Sequence, residues 1–209
     1  MKLTKKDFEE IVEKYGLGKY KSNRHIWHAL ENTVYFIQTT KGKYILKIFK
    51  KSNSKFIKYQ IKMTDYLAKN KILTPKILKT KLGKGIHNYK KHDIIIQEFI
   101  IGKEREKLNN IQVKNIGKEI GRLNNKLLKL NLKGGDDWGK DHQFKLEKND
   151  VFKINKLDVK KEEKSLIKDL KNINRKKLRK SIIHSDLGDS NLLFKNNNLV
   201  AIIDWDDAH

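Results

Sequence analysis

The chain has no cysteine and a single proline, Pro75. The first absence excludes a disulfide-stapled scaffold and any thiolate metal site. No apolar run approaches the roughly 18 residues a membrane-crossing helix needs. The opening Met1-Lys2-Leu3-Thr4-Lys5-Lys6-Asp7 also lacks the apolar core of a signal peptide. A cytoplasmic protein with no membrane partner is expected. Arginine is scarce as well, standing only at positions 24, 105, 122, 175 and 179, so the net charge of +23 is almost all lysine, spread from end to end. A basic surface attracts phosphate backbones by counterion release. Lysine, however, is a poor bidentate reader of phosphate, and here it rises together with Asn and Ile as a general compositional bias does. Specific nucleic-acid recognition is not expected, whereas indiscriminate adhesion to polyanions at low salt is.

What is present is enough for a core. In 209 residues, 37% are apolar, which suits one domain or two small lobes. The most informative stretch lies near the C-terminus, His184-Ser185-Asp186-Leu187-Gly188-Asp189-Ser190-Asn191. Apolar runs bound it, Ser181-Ile182-Ile183 before and Leu192-Leu193-Phe194 after, and they read as short buried strands. A polar turn at Lys195 to Asn198 leads into Leu199-Val200-Ala201-Ile202-Ile203, which delivers Asp204 at its end. Two carboxylates and an amide thus converge at one end of a hairpin. Such hard oxygen donors suit Mg²⁺, which takes one or two carboxylates, substrate phosphates and waters. Asp, Asn and Ser also crowd ordinary turns for backbone reasons, so it is the joint pattern with Ile203-Asp204-Trp205 that points to phosphoryl transfer.

His184-Ser185-Asp186 with Asn191, and Ile203-Asp204-Trp205 with Ala208, resemble the two signatures of the aminoglycoside phosphotransferase and choline kinase-like family. The resemblance implies an α+β, protein-kinase-like fold, with an antiparallel-sheet small lobe at 1–100 and a partial, mainly helical large lobe at 101–209. It implies ATP and Mg²⁺ as cofactors and a small-molecule alcohol as acceptor, of the aminoglycoside, choline or homoserine kind. By the family's roles, Asp186 is the catalytic base, Asn191 and Asp204 hold metal, and His184 braces the loop. Asp189, Asp206 and Asp207 read as a polar rim that would at most widen the anionic site.

Upstream, Thr4 to Asp7 looks like a capping box opening a helix through Phe8, Ile11, Val12 and Tyr15, closed by Gly16 and Gly18. From Lys19 to Lys50 the pattern is a β-meander, with strands at Tyr20 to His28, Thr33 to Thr39 and Lys43 to Lys50. Asn32, in the first turn, stands where the family carries its phosphate-covering loop. Lys47 interrupts an apolar strand face shared with Ile45 and Phe49, while Tyr44, Leu46 and Ile48 point the other way. A lysine snorkelling from a strand end would look the same. The resemblance of Tyr44-Ile45-Leu46-Lys47 to the family's pattern makes it the phosphate-gripping lysine.

Such a lysine usually pairs with a Glu on the next helix, here Asn53 to Lys69. Phe56, Gln60, Met63 and Leu67 share one face, so an amide stands inward where the family has an acid. A Gln can hydrogen-bond Lys47 but cannot neutralise it. After Pro75, Lys76 to Lys81 reads as the start of a strand. The run Asp93 to Ile101 reads as another, and its segment Gln97, Glu98, Phe99 and Ile100, before Gly102, resembles the family's hinge, whose backbone reads adenine. A buried strand without a ligand shares that geometry. Ile116, Ile120, Leu123, Leu127 and Leu130 mark a core helix ending before Gly134. Asp136 to Val159 reads as a loop-rich insertion containing Asp141 and His142, and Lys160 to Arg179 as a charged helix.

Only five residues follow Asp204, where the family continues into helices lining the acceptor pocket. The resemblance therefore also implies a dimer mate or separate chain completing the large lobe, or, as the alternative function, a degenerate nucleotide-binding module without efficient turnover.

Overall fold

A computed structural model describes residues 2–27, 32–51, 54–133 and 179–209, with isolated positions between 165 and 177. The expected insertion at Asp136 to Val159 and nearly all of the charged helix after it lie outside the described residues.

Thr4 caps helix α1 (Lys5–Lys14) by both bonds of the capping box, its hydroxyl accepting from the Asp7 N–H while the Asp7 carboxylate accepts from the Thr4 N–H. The helical spacing of Phe8, Ile11 and Val12 turns one stripe downward, onto Tyr35, Ile37, Leu46, Ile48, Ile94 and Ile96 of a sheet. That sheet comprises β1 (Tyr20–Ile26), β2 (Thr33–Thr39), β3 (Lys43–Ile48), β4 (His87–Tyr89) and β5 (His92–Glu98), in the order β1-β2-β3-β5-β4. Every pairing is antiparallel. Because alternate residues of a strand face opposite sides, Leu46 and Ile48 go under α1 and Lys47 goes to the other face. Lys47 stands between Val34 of β2 and Ile95 of β5. On that second face Phe49, Ile77 and Ile95 pack with Ile57 of helix α2 (Ser54–Lys69).

The strand expected at Lys76 to Lys81 is reduced to a single bridge between Ile77 and Gln97. The Leu78 N–H donates to Ile96 O and the Glu98 N–H to Lys76 O, after which β4 takes over that edge of β5 at Ile94. Pro75 has no N–H to extend the ladder the other way.

Helix α2 also faces a second core. Tyr59, Met63 and Leu67 meet Leu123 and Leu127 of α3 (Asn110–Leu127), together with Leu192, Phe194, Leu199 and Ile202 of the hairpin β6 (Leu192–Lys195) and β7 (Asn198–Ile202). Asn109 and Gln112 form a second capping box at the head of α3. That helix stops at Leu127, short of Gly134, and Leu130 packs on the core from the turn beyond it. The hairpin is moored on two sides: Lys103 and Phe194 exchange two backbone bonds of 2.8 Å, and the Ile202 N–H donates to Leu73 O at 2.7 Å. Gly102 allows the first mooring, since a Cβ there would come within 2.9 Å of Leu193 Cβ and Val200 Cγ2. Sheet, α2, α3 and hairpin are thereby locked together, and α2, the end of β5 and the loop after β7 border one cleft. Among the described residues, no helix is long and apolar enough to cross a membrane.

Candidate active site

The cleft is lined by Gln60, Thr64, Pro75, Ile77, Gln97, Asp204, Trp205 and Asp206. Lys47 reaches two of these residues, Asp204 and Asp206, from the middle of the sheet, with its side chain only 9% exposed. Its Nζ donates to both Asp206 oxygens at 2.8 Å and to Asp204 Oδ1 at 3.1 Å. Burial alone would lower the lysine's pKa, but the two carboxylates outweigh it and the net shift is upward. Lys47 is therefore a fully charged, anchored cation. A snorkelling lysine would have its amine in water.

The loop from His184 to Asn191 is built around a neutral imidazole. His184 is buried and tilted against Trp205 with ring centroids 4.4 Å apart. Its Nε2 lies 2.9 Å from Ile203 O, and its Nδ1 accepts the Asp186 N–H at 3.4 Å. That pair of contacts needs the tautomer protonated at Nε2. Burial lowers the imidazole's pKa, more than the nearby Ile203 carbonyl and the Asp204 and Asp186 carboxylates raise it. His184 is thus a brace tying the loop to the strand end that carries Asp204. Ser185, between His184 and Asp186, takes a left-handed φ of 69°, a conformation uncommon for a side chain larger than glycine's.

Asp186 is exposed, and Asn191 is buried beside it. The Asn191 Nδ2 donates to Asp186 O and to Asp186 Oδ2, both at 2.8 Å. The Ile203 N–H in turn donates to Asn191 O at 2.9 Å, so the two motif segments lie side by side. Asp204 follows in a left-handed φ of 59°. Its side chain is 50% exposed and accepts one described contact, from Lys47. The Asn191 amide nitrogen is spent on Asp186, leaving its oxygen, with the Asp204 carboxylate, as the hard donors on this side. Among the described residues no three His, Cys, Asp or Glu groups converge as a metal cage. A sparse oxygen set that leaves most positions to phosphate and water suits Mg²⁺ rather than a dedicated protein cage.

Asn32 is brought to the same place, but onto a carboxylate: its Nδ2 donates to Asp206 Oδ2 at 2.7 Å. Gln97 lines the cleft at the end of β5, where Glu98, Phe99 and Ile100 are half-buried. The Glu98 N–H is spent on Lys76 O. Phe99, past the strand's end, meets Phe36 of β2 edge to face at 5.0 Å.

Two expectations are corrected. Gln60 does point inward, 3% exposed, but it does not bond Lys47; its Nε2 donates to Trp205 O and Asp206 Oδ1, each at 2.9 Å. Asp206 is no rim residue either, since it accepts from Asn32, Lys47 and Gln60 at once. Burial pushes its carboxyl up, but Lys47 first, and then the hydrogen bonds from Gln60 and Asn32, more than reverse this and hold it below its usual value. Neighbouring Asp207 moves the other way, raised by burial and by Asp186, Asp204 and Asp206.

A sequence model of the phosphotransferase enzyme family (APH) matches residues 23–209. A homoserine kinase of Zymomonas mobilis subsp. mobilis is 28% identical over 193 residues, covering 90% of this chain and 60% of that protein. A homoserine kinase of Pseudomonas aeruginosa is 21% identical over 121 residues, 58% of this chain and 38% of that protein. Among solved structures, an amicoumacin kinase in complex with AMP-PNP, Ca²⁺ and Ami superposes with a TM-score of 0.72 at 20% identity, over 97% of this chain and 64% of that one. A spectinomycin phosphotransferase in complex with ADP and spectinomycin gives 0.69 at 16%, over 100% and 70%. The chain therefore spans about three fifths of the length of the first relative. The structural likenesses establish the protein-kinase-like fold, of which these residues form a part.

Proposed function

Since the chain belongs to the phosphotransferase enzyme family, we propose that its cleft transfers the γ-phosphoryl group of ATP to a hydroxyl of a small molecule. The observation that carries this reading is the juxtaposition of a buried, fully charged Lys47 with Asp204, beside a loop that presents an exposed Asp186. Lys47 grips the α- and β-phosphates, while Asn32 closes over that end and the Gln97–Ile100 segment receives the base. Asn191 and Asp204 would hold Mg²⁺, whose chemistry is to neutralise the charge of the phosphate oxygens. Asp186, oriented by the Asn191 amide and the His184-bound N–H, accepts the hydroxyl proton. The freed oxygen attacks phosphorus, and the bond from phosphorus to the β-bridging oxygen breaks with ADP as leaving group.

Homoserine is the first acceptor to try, because two relatives are named homoserine kinase, with choline and aminoglycosides behind it. The purified chain is to be given ATP, Mg²⁺ and that panel, with Asp186→Asn as control. Acceptor-dependent ADP release that the substitution abolishes supports the reading. ADP release that ignores both acceptor and substitution contradicts it.

A further inference from the structure

A buried cation needs an anion, and here the anion is not where a helix would supply it. Helix α2 offers Lys47 only the amide of Gln60, and that amide is turned onto the same Asp206 oxygen that Lys47 holds. Asp206 takes charge from Lys47, one hydrogen bond from Gln60 and one from Asn32, and its side chain is only 15% exposed. All three donors come from the part of the chain that carries the sheet, whereas Asp206 comes from the loop after β7. Asp204, two residues earlier, is the other carboxylate on Lys47. It is half-exposed, and its contact is the longer one.

We propose that Asp206 is the positioning residue of Lys47: it is the standing counter-ion that keeps the ammonium aimed at the phosphate site and off the metal carboxylate Asp204, with Gln60 as the amide that holds it. This rests on the nucleotide site proposed above. The acid and the amide have traded elements, so the lysine stays neutralised although α2 brings no charge. The trade answers only the part of the case for a module without turnover that came from the amide at Gln60, because Lys47 is neutralised after all. Without Asp206, the carboxylate left within reach of Lys47 is Asp204, and the ammonium would then compete with the metal for it.

The trade can be reversed. Asp206→Asn strips a buried cation of its main partner, and Gln60→Glu alone sets a second carboxylate against the Asp206 oxygen. Each is expected to lower Tm by about 5–15 °C and to weaken Mg-ATP about 10-fold or more in a calorimetric titration. Combined, Gln60→Glu and Asp206→Asn put the anion on α2 and the amide on the loop, and both Tm and Mg-ATP affinity are expected to return towards wild type. A merely packed residue gives no such rescue. Recovery of Tm without recovery of Mg-ATP binding would overturn the proposal, because Asp206 would then be acting on the metal itself. Additive losses in Tm would overturn it too. Should the wild type bind no nucleotide, the functional reading fails by itself, and the Tm pattern still decides the counter-ion assignment.

Discussion

Two acid–lysine pairs stand on opposite sides of the five-stranded sheet and look alike at first. At the head of α1, Lys90 Nζ lies 2.6 Å from Asp7, a carboxylate that also accepts from Thr4 and Tyr89. In the cleft, Lys47 lies 2.8 Å from Asp206, which also accepts from Gln60 and Asn32. The difference is in what remains unspent. Asp7 is consumed by the cap of its own helix and by the Tyr89–Lys90 turn, and Lys90 is an exposed lysine that can find water instead. Lys47 cannot reach water. It is shared with a second acid, Asp204, that has only this one contact among the described residues and an open side. A closed network of charge stabilises an element; an open one, with a buried cation and a carboxylate that has spare lone pairs, is prepared for a ligand.

The sharpest break in the comparison is expected at the loop. Asp186→Asn should cut acceptor phosphorylation by about 10²–10⁴-fold, the usual worth of a general base. It should leave the melting temperature nearly unmoved, because Asp186 is exposed; steady-state kinetics and thermal melts check the two halves. Next come the lysines. Lys47→Met should weaken Mg-ATP by about 100-fold through loss of a charge-assisted phosphate contact, whereas Lys90→Met should leave nucleotide affinity unchanged and cost about 1–2 kcal/mol of stability, since the lysine is exposed and the buried Asp7 keeps its bonds from Thr4 and Tyr89. Parallel calorimetric titrations decide, and equal losses would erase the distinction between the two pairs.

The third effect is on the closed network. Asp7→Asn should cost about 1–2 kcal/mol in urea unfolding through the damaged cap without touching nucleotide affinity. Lys90 first, and then the Thr4 N–H, hold the Asp7 carboxyl far below its ordinary 3.8. Its contribution is therefore present above pH 3.8 and lost as pH falls below it, so the variant should show a flatter acid limb. Smallest is the His184 brace. Burial depresses its pKa below the ordinary 6.5, so the unfolded chain takes up a proton that the folded chain refuses. Stability should fall as pH drops through 6.5, by at most about 1.4 kcal/mol per pH unit, and His184→Gln should remove that share of the slope.

Much of this was legible in the residues. Period-two patterning placed β2 at its observed bounds and turned Lys47 away from Leu46 and Ile48. Spacing turned Gln60 inward, and the His184–Asn191 and Ile203–Trp205 motifs marked the two segments that lie together. What could not be read is what Gln60 meets, because its partner is 146 positions away and pairing over that distance is set by tertiary packing. Asp206 escaped for a related reason: Asp204 takes a left-handed turn, so alternation along an extended chain says nothing about where residue 206 points. A signal did exist. A lysine on an apolar strand face with no acid on the neighbouring helix has to be neutralised from elsewhere, and the acid-rich run after Ile203 was the available source. The strand expected at Lys76 failed because one edge of β5 is divided between Ile77 and β4, which propensity alone cannot foresee.

The role proposed for Asp204 is to serve a metal that arrives with the nucleotide. Calorimetric titration of wild type and Asp204→Ala with ATP, with and without Mg²⁺, tests it most directly. Loss of the carboxylate is expected to weaken Mg-ATP at least about 10-fold and to leave metal-free ATP unchanged or tighter, since a charge that repels phosphate has gone. Equal losses for both forms of the nucleotide would contradict the assignment of Asp204 to metal, and with it this account of the cleft.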